Sequence, residues 1–552
     1  MNLRTESKRL SGWSGWGMEN TKEKEKNMKR HVFLLSALLA VLLASPVLAG
    51  STVETAATAA GPIEIELWAT ASVSEAPAPP ADWVAYSMIK EKLDITLKVV
   101  FLPSNFTDQD AKINAAAAAN MLPDLLHPNR DAWVRLVQQG LIAEVEDMLP
   151  LMPTRTKQQY QDPIGRKVAS VDGKLYALPS PGAIPKVEGV VIRKDWLERL
   201  GKAVPKSTEE FFELGKAFTA NDPDGNGKND TYGFGGYVDQ SGIIQAGLGP
   251  RFDYIFGAFT KPGMWNLDAA TFGLNARDPA FADALSYMKR IVDAGIIDPD
   301  WPTIKKDEFR ARWKQGRSGI MWEQFAALAS QSNYAAFDAN FPEGGWVAVA
   351  PPVGPKGLSS QGLNNPNFRL IAVSKRAADA GKKPRIAQLL EWMSTEGYYL
   401  IGFGIEGENY NKNPDGTINV NGIPKEKQYS SPAGQIITQL RNLIFYNSEV
   451  ELAARYPYYQ TKNGRTQGPL MFLNEYKKYP YYDAPGAAII DPPANAADFV
   501  RYYNEGVIKF VLGQTPINAQ TLKEFNDGLD KLGAKELEAA TKAKLQANGM
   551  LN

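Results

Sequence analysis

Polar and apolar positions change period several times along the chain, and each change predicts an element. "IEIELWAT", from Ile63, alternates as a half-buried strand does, "ADWVAYSMIKEKL" carries helical spacing, and "DITLKVVFL" alternates again. "DQDAKINAAAAANM" predicts an alanine-rich helix, "LPDLLH" a short buried strand, and "NRDAWVRLVQQG" a helix closed by Gly140. Strand, helix, strand, helix and strand in this order predict a parallel, layered α/β unit. A second such region follows. "VDGKLYALPS" reads as a hairpin turn and strand, "GVVIRK" as a strand, and "DWLERLG" as a helix capped by Asp195. "KSTEEFFELGKAFTAND" is a helix opened by a cap and first-turn acids at Ser207, Thr208, Glu209 and Glu210. "DPAFADALSYMKRIVDAG" is amphipathic, "FRLIAVSKRAADAGKKPRIAQLLEWMSTEGYYLIGFG" predicts strand, loop and helix, and the charged tail from Thr521 is helical. No internal repeat interrupts this order.

The first 60 residues do not belong to these layers. "MKRHVFLLSALLAVLLASPVLAG" has a basic start at Lys29 and Arg30, an apolar run from Val32 to Leu43, and small residues at Val47 and Ala49. That is the pattern of a secretory signal peptide cut after Ala49, and the run is shorter than the ~20 residues that span a bilayer. Met28 opens a better signal peptide than Met1, so residues 1–27 read as a possible start-site artefact. "STVETAATAAGP", residues 50–62 with Gly50, reads as a flexible linker.

Composition narrows the chemistry. There is no cysteine, hence no disulfide and no thiol for a lipid anchor, which predicts a soluble protein outside the cytoplasm. Taking the leader's eight basic and four acidic residues from the 61 of each sign leaves 53 against 57, which points away from nucleic acid and anionic membranes. His127 is the one histidine beyond the leader, so zinc sites and Ser-His-Asp triads cannot be assembled; it reads as a hydrogen-bonded structural residue. Paired-carboxylate chemistry survives this subtraction.

The most specific motif is "DPDGNGKND". Asp222, Asp224 and Asn226 stand at positions 1, 3 and 5 of an EF-hand-like loop, Gly227 at the sharp turn, Lys228 at 7 with only its carbonyl to offer, and Asp230 at 9. Position 12 is Gly233 instead of a bidentate Glu, so the loop reads as a structural Ca2+ clip; a metal-free Asx/Gly turn is the alternative.

Sugar recognition needs apolar faces with planar polar groups at their rims. Trp265 lies in the Gly/Pro-rich "TKPGMWNLD", a poor place for a core tryptophan, although packing between lobes is the alternative. Trp322 and Glu323 follow "GIM", and α/β sites lie outside the carboxyl ends of strands. By the same rule Trp68, Asn129 and Arg130 are candidates. In "GFGIEGENYNK" an open glycine backbone presents Asn409 and Tyr410, with a hinge turn as the alternative.

"LPDLLHPN", "VDGKLYALP", "VVIRKDWLERLG", "DPDGNGKND", "AGIIDPD", "GFGIEGENY" and "FVLGQTP" occur in one order. In that order the chain resembles family 1 extracellular solute-binding proteins of ABC importers, in the subgroup of LplA-like lipoproteins and alginate-oligosaccharide-binding proteins. The resemblance runs from Ile63 to the end. It implies a two-lobed α/β fold with several interlobe crossovers and a cleft between lobes: residues 63–181 with 347–405 as the N-terminal lobe, and 182–346 with 406–552 as the C-terminal lobe. It implies an oligosaccharide ligand, a permease partner, no catalysis, and a calcium remote from the sugar; the missing lipobox cysteine predicts a free periplasmic protein, expected as a monomer. It also matches Trp265 to a sugar-contacting loop tryptophan, places an acid–Trp pair near Trp322 in slightly different order, and presents the 402–410 loop to the cleft. The subgroup's lipobox cysteine is absent, and Thr231 stands where an acid usually follows the calcium loop. A secreted lyase or glycosidase with paired carboxylates, and a sensory sugar-binding protein, are the alternative functions.

Overall fold

A computed structural model describes residues 61–551, apart from 73–76, 104, 161–163, 180–185, 240–241, 365–368, 416 and 445–448. The predicted signal peptide and most of the linker lie outside the described residues.

The first predicted layer forms as the periodicity requires. Ile63–Thr70 and Ile95–Leu102 pair in parallel over their whole length, and Leu125–Leu126 adds on the other side of the first strand. The connecting helices, Val84–Leu93 and Phe106–Ala118, make these parallel crossovers possible. Gly140 follows helix Arg130–Gln138 at φ 71°, the left-handed conformation that ends a helix without a Cβ clash. The hairpin holds too. Ser170–Val171 pairs with Lys174–Leu175 across Asp172 and Gly173, both at positive φ, the two-residue turn whose twist suits a hairpin.

The chain then leaves this sheet and comes back. Its five strands lie in the order Ile95–Leu102, Ile63–Thr70, Leu125–Leu126, Leu370–Val373, Leu178–Pro179, and the last two neighbours pair antiparallel. Between Pro179 and Leu370 a second, four-stranded sheet is built: Trp346–Ala348, Glu188–Arg193, Ser318–Gln324, Tyr232–Gly235. This one is mixed, since Glu188–Arg193 runs antiparallel to both neighbours while Ser318–Gln324 and Tyr232–Gly235 are parallel. The segments that cross between sheets leave from and return to the carboxyl edges of the parallel strands, the edges where ligand residues are expected.

Two local expectations change. Helix Lys194–Arg199 has no side-chain cap; Asp195 instead accepts from Arg193 at 2.6 and 2.9 Å and from the N–H of Gly345 at 3.2 Å. The predicted loop after "LIAV" is a short helix, Lys375–Asp379, because the Ser374 hydroxyl caps the N–H of Ala377. The tail is two helices, Ala519–Lys531 and Ala534–Ala547. Among the described residues no helix is long and apolar enough to cross a membrane.

Candidate functional site

Three predicted residues stand along the edge of the first sheet. Trp68 is 9% exposed; its indole N–H donates to Glu66 Oε1 at 3.1 Å and Lys112 Nζ lies 4.8 Å from its ring. Asn129 caps helix Arg130–Gln138, accepting from the N–H of Ala132 at 2.9 Å, and its amide donates to Asp110. Both polar ends are therefore spent on local structure. Arg130 donates to the carbonyl of Ile490 at 2.5 Å and to Asp491 at 2.9 Å. The next residue, Asp131, accepts the N–H of Ile243 at 3.0 Å, and the Ile243 carbonyl accepts the Trp265 indole N–H at 2.8 Å. One loop residue thus links this edge to Trp265. Trp265 is buried and opens a two-residue strand paired with Gly273–Leu274, so the ring is packed instead of standing free in a loop.

His127, at the same edge, departs from expectation. It is buried and neither ring nitrogen has a hydrogen-bond partner. Burial first, and then the Arg369 and Arg155 guanidiniums, pull it down to about 3, so the ring is neutral at physiological pH.

The second sheet's edge is organised around a residue the sequence reading missed. Arg251 donates to Glu323 Oε1 and to the carbonyl of Trp322, each at 2.8 Å, and its guanidinium lies 5.1 Å from the rings of both Tyr237 and Trp322. Trp322 gives its indole N–H to the carbonyl of Gln361 at 2.7 Å. Glu323 is fully buried and also receives Arg310 at 3.3 Å and the N–H of Gln324 at 2.9 Å. Burial opposes its ionisation, but the Arg251 and Arg310 guanidiniums outweigh this and hold its carboxyl at about 2. Around this ion pair stand three further carboxyls. Asp239 accepts the Tyr237 hydroxyl at 3.1 Å, and burial pushes Glu188 and Asp253 up to about 7 each. Glu188 opens its strand and pairs with Gln324 in register. Its sequence context, "VEGVVIR", carried one signal: an acid at the start of an apolar strand. Arg251 and Asp253 had only their setting, charged residues within the aromatic "RFDYIF".

The 402–410 loop is a turn tied to the 427–429 segment. Asn409 accepts from Ile405 N–H at 2.9 Å and donates to the carbonyl of Lys427 at 2.8 Å, so its amide builds the loop. Tyr410 is buried against Tyr399, with rings 6.0 Å apart and 17° from parallel.

In the 222–230 loop, Asp222 accepts the N–H groups of Asn226 and Gly227 at 3.0 Å each. The Asn226 side-chain amide donates to Asp224 at 2.9 Å and Asp230 at 3.2 Å, while Asn226 Oδ1 accepts from Lys228 N–H at 2.8 Å. Burial, the Asp222 carboxyl and the Asp230 charge raise Asp224 above the usual carboxylate range. The donor set is all hard oxygen, as calcium requires, and the Asn226 amide sits where a cation would relieve this crowding. Among the described residues, however, no three Asp, Glu, His or Cys side chains stand together as a metal-holding group. The loop runs from helix Thr208–Ala220 into strand Tyr232–Gly235, with no second helix. A Cβ at Gly233 would fall 2.3 Å from the Gly215 carbonyl oxygen, so a position-12 Glu has no room; Thr231 ties the loop back to the Phe218 carbonyl at 2.9 Å.

Comparison with known proteins places this architecture. The bacterial extracellular solute-binding protein family matches residues 85–400. The polygalacturonan/rhamnogalacturonan-binding protein YtcQ of Bacillus subtilis (strain 168) is 27% identical over 351 residues, covering 62% of this chain and 66% of YtcQ. Among solved structures, alginate-binding protein AlgQ2 without calcium ion superposes with a TM-score of 0.67 at 16% identity, covering 88% of this chain and 98% of AlgQ2. FusA of S. pneumoniae, as an EF-hand mutant in complex with fructo-nystose, gives 0.62 at 16% identity, covering 88% of this chain and 100% of FusA. At such identities the structures speak for the two-lobed fold. The chain spans between half and two thirds of the length of the curated relatives it matches. With more than half its length matched, the chain belongs to the bacterial extracellular solute-binding proteins.

Proposed function

We propose that this chain is the extracytoplasmic substrate-binding protein of an ABC importer, which captures an oligosaccharide between the edges of its two sheets and closes around it. The observation that carries this reading is the crossing topology: both carboxyl edges hold aromatic and polar side chains, and the chain passes from one sheet to the other at those edges. The lobes proposed are 63–181 with 347–405 and 182–346 with 406–552, with the second boundary moved past Ala348, because strand Trp346–Ala348 pairs with Glu188–Arg193 in the second sheet. The binding residues are drawn from Trp68, Asn129, Arg130, Trp265, Trp322, Glu323, Asn409 and Tyr410, now joined by Glu188, Arg251 and Asp253. Several act by shaping the walls, because their polar atoms are already engaged. Names of relatives support the ligand class: YtcQ binds polygalacturonan or rhamnogalacturonan, and FusA is described with fructooligosaccharide.

Closure requires a ligand with differential affinity for the closed state, which rings and carboxyls on opposite walls supply once both touch the sugar. A permease would read the closed form. Asp222, Asp224, Asn226, the Lys228 carbonyl and Asp230 would hold a structural Ca2+, which supplies the positive charge that lets the carboxylates approach. The protein would work as a monomer in the periplasm after cleavage behind Ala49.

One observation favours a second reading. Glu188 and Asp253, both near 7, are suited to proton transfer, as a carbohydrate-active enzyme would need. A single experiment separates the two: thermal shift of the mature protein against an oligosaccharide panel, followed by recovery of the sugar. A ligand at 100 times its Kd adds about 2.7 kcal/mol of stability. Recovery of intact sugar is expected; shortened or unsaturated products would overturn the binding-protein reading.

A further inference from the structure

Three contacts join elements that flank different sheets. The strand Ile95–Leu102 lies at the edge of the first sheet farthest from Leu370–Val373 and Leu178–Pro179, where the chain crosses between sheets. Helix Phe106–Ala118 follows that strand, yet its Asp108 accepts from Lys305 Nζ at 2.5 Å. Lys305 stands before helix Lys306–Lys314, which leads into strand Ser318–Gln324 of the second sheet. The two walls therefore meet even at the edge remote from the crossings. Both side chains of this pair are exposed, and such a pair adds little stability.

The first turn of helix Arg130–Gln138 makes the other two contacts. Arg130 donates to the carbonyl of Ile490 at 2.5 Å and to Asp491 at 2.9 Å, and Lys544 also pairs with Asp491. Beside it, Asp131 accepts the Ile243 N–H at 3.0 Å and takes no other hydrogen bond from the described residues. Ile243 is fully buried, so no solvent stands in for that acceptor. Gly242 has φ 83°, and a Cβ there would fall 2.2 Å from Asp131 Oδ2, so the loop reaches the carboxylate because this residue is glycine. The Ile243 carbonyl accepts the Trp265 indole N–H at 2.8 Å, and the Ile244 carbonyl accepts the Met264 N–H at 3.1 Å. Asp131 and Trp265 thus grip the same residue, one by its N–H and the other by its carbonyl.

Resting on the reading above, we infer that Asp131 is a positioning residue for sugar capture: without touching the sugar, it holds the 242–244 loop, and with it Trp265, in the geometry where the two walls meet. Losing the carboxylate leaves a buried N–H without its acceptor when the walls are together, whereas water reaches that N–H when they part. The fraction of molecules in the binding-competent state falls, and the apparent Kd rises in proportion.

The test combines two readouts on the mature protein. Calorimetric titration uses tetragalacturonate, fructotetraose and galactotetraose. Spin labels at the exposed positions Lys90→Cys and Lys194→Cys give the distance distribution with no sugar present. Asp131→Ala should raise the Kd of the tightest tetramer about fivefold to tenfold and move the sugar-free distribution to longer distances. Asp131→Asn keeps an oxygen acceptor and should stay within about twofold of the parent, while Gly242→Ala, acting from the other side of the contact, should move both readouts as Asp131→Ala does. If Asp131→Ala leaves either the affinity or the sugar-free distances as in the parent, the inference is overturned, whatever the melting temperature does, because the contact then only packs the fold. Binding of no tetramer by the parent overturns the binding-protein reading instead, and the sugar-free distances still decide whether Asp131 holds the walls together.

Discussion

At the scale of single residues, the Arg251–Glu323 pair is the keystone of the second wall. Removing one partner of a buried ion pair leaves the other charge uncompensated, which costs about 3–5 kcal/mol. Arg251→Met leaves Glu323 with Arg310 alone and should lower the urea midpoint; an unchanged midpoint would show that Arg251 adds nothing to that pairing. Glu188 and Asp253 give a pH signature. Their folded values, near 7, lie above the unfolded ones, so the folded chain holds protons that the unfolded chain releases. Their contribution is present at acid pH and is lost as pH rises through 7. The Glu188→Gln/Asp253→Asn variant should then exceed the parent by roughly 1–3 kcal/mol at pH 8 and converge on it only at about pH 3.5, below the unfolded carboxyl values, as read from urea melts at the two pH values. Equal gaps at both would refute the assignment. His127 works in the opposite sense: its folded value lies below the unfolded one, so its contribution is present above pH 6.5 and is lost as pH falls toward 3. At this scale the sequence was least legible. Strand-end logic reached Trp322 and Glu323, but whether a carboxyl is saturated or spare depends on Arg251, Arg310 and Asp253, which tertiary folding brings to it.

Elements were far more legible, because their signals are local. At the predicted cap, Ser207 and Glu210 form a full capping box: the Ser207 hydroxyl accepts the Glu210 N–H at 3.2 Å and the Glu210 carboxylate accepts the Ser207 N–H at 3.2 Å. Ser207→Ala should cost about 1 kcal/mol by losing one satisfied donor, measured as a fall in Tm; no fall would mean that helix end is held by other contacts. Asp195 misled for the same local reason. It has the composition of a cap, but the buried Arg193 claims it. The 222–230 loop yields a prediction with a sign change. Burial and like charge raise Asp224 where no cation is present, so Asp224→Asn should stabilise the chelated protein, whereas in millimolar calcium it should destabilise by removing a ligand. Melting temperatures with and without chelator check it. The same sign in both buffers would mean the loop is a metal-free turn.

For the whole molecule, the periodicity announced α/β layers but could not announce that Leu370–Val373 inserts beside Leu125–Leu126, some 240 residues away in sequence, or that the second sheet is mixed. Such pairings are set by which apolar faces remain to be covered. The same topology places Asp131 against Ile243 and Lys305 Nζ 2.5 Å from Asp108, contacts between elements flanking different sheets. On the proposed function these contacts loosen when a sugar enters. The absence of cysteine makes that motion directly measurable, since labels go only where they are introduced. Lys90, on the helix flanking the first sheet, and Lys194, at the end of the second sheet's strand Glu188–Arg193, are both exposed. With spin labels at Lys90→Cys and Lys194→Cys, the distance distribution should shift to a shorter, narrower peak when a bound oligosaccharide is added. A distribution unchanged by a sugar that calorimetry shows to be bound would contradict closure around the ligand, the core of this account.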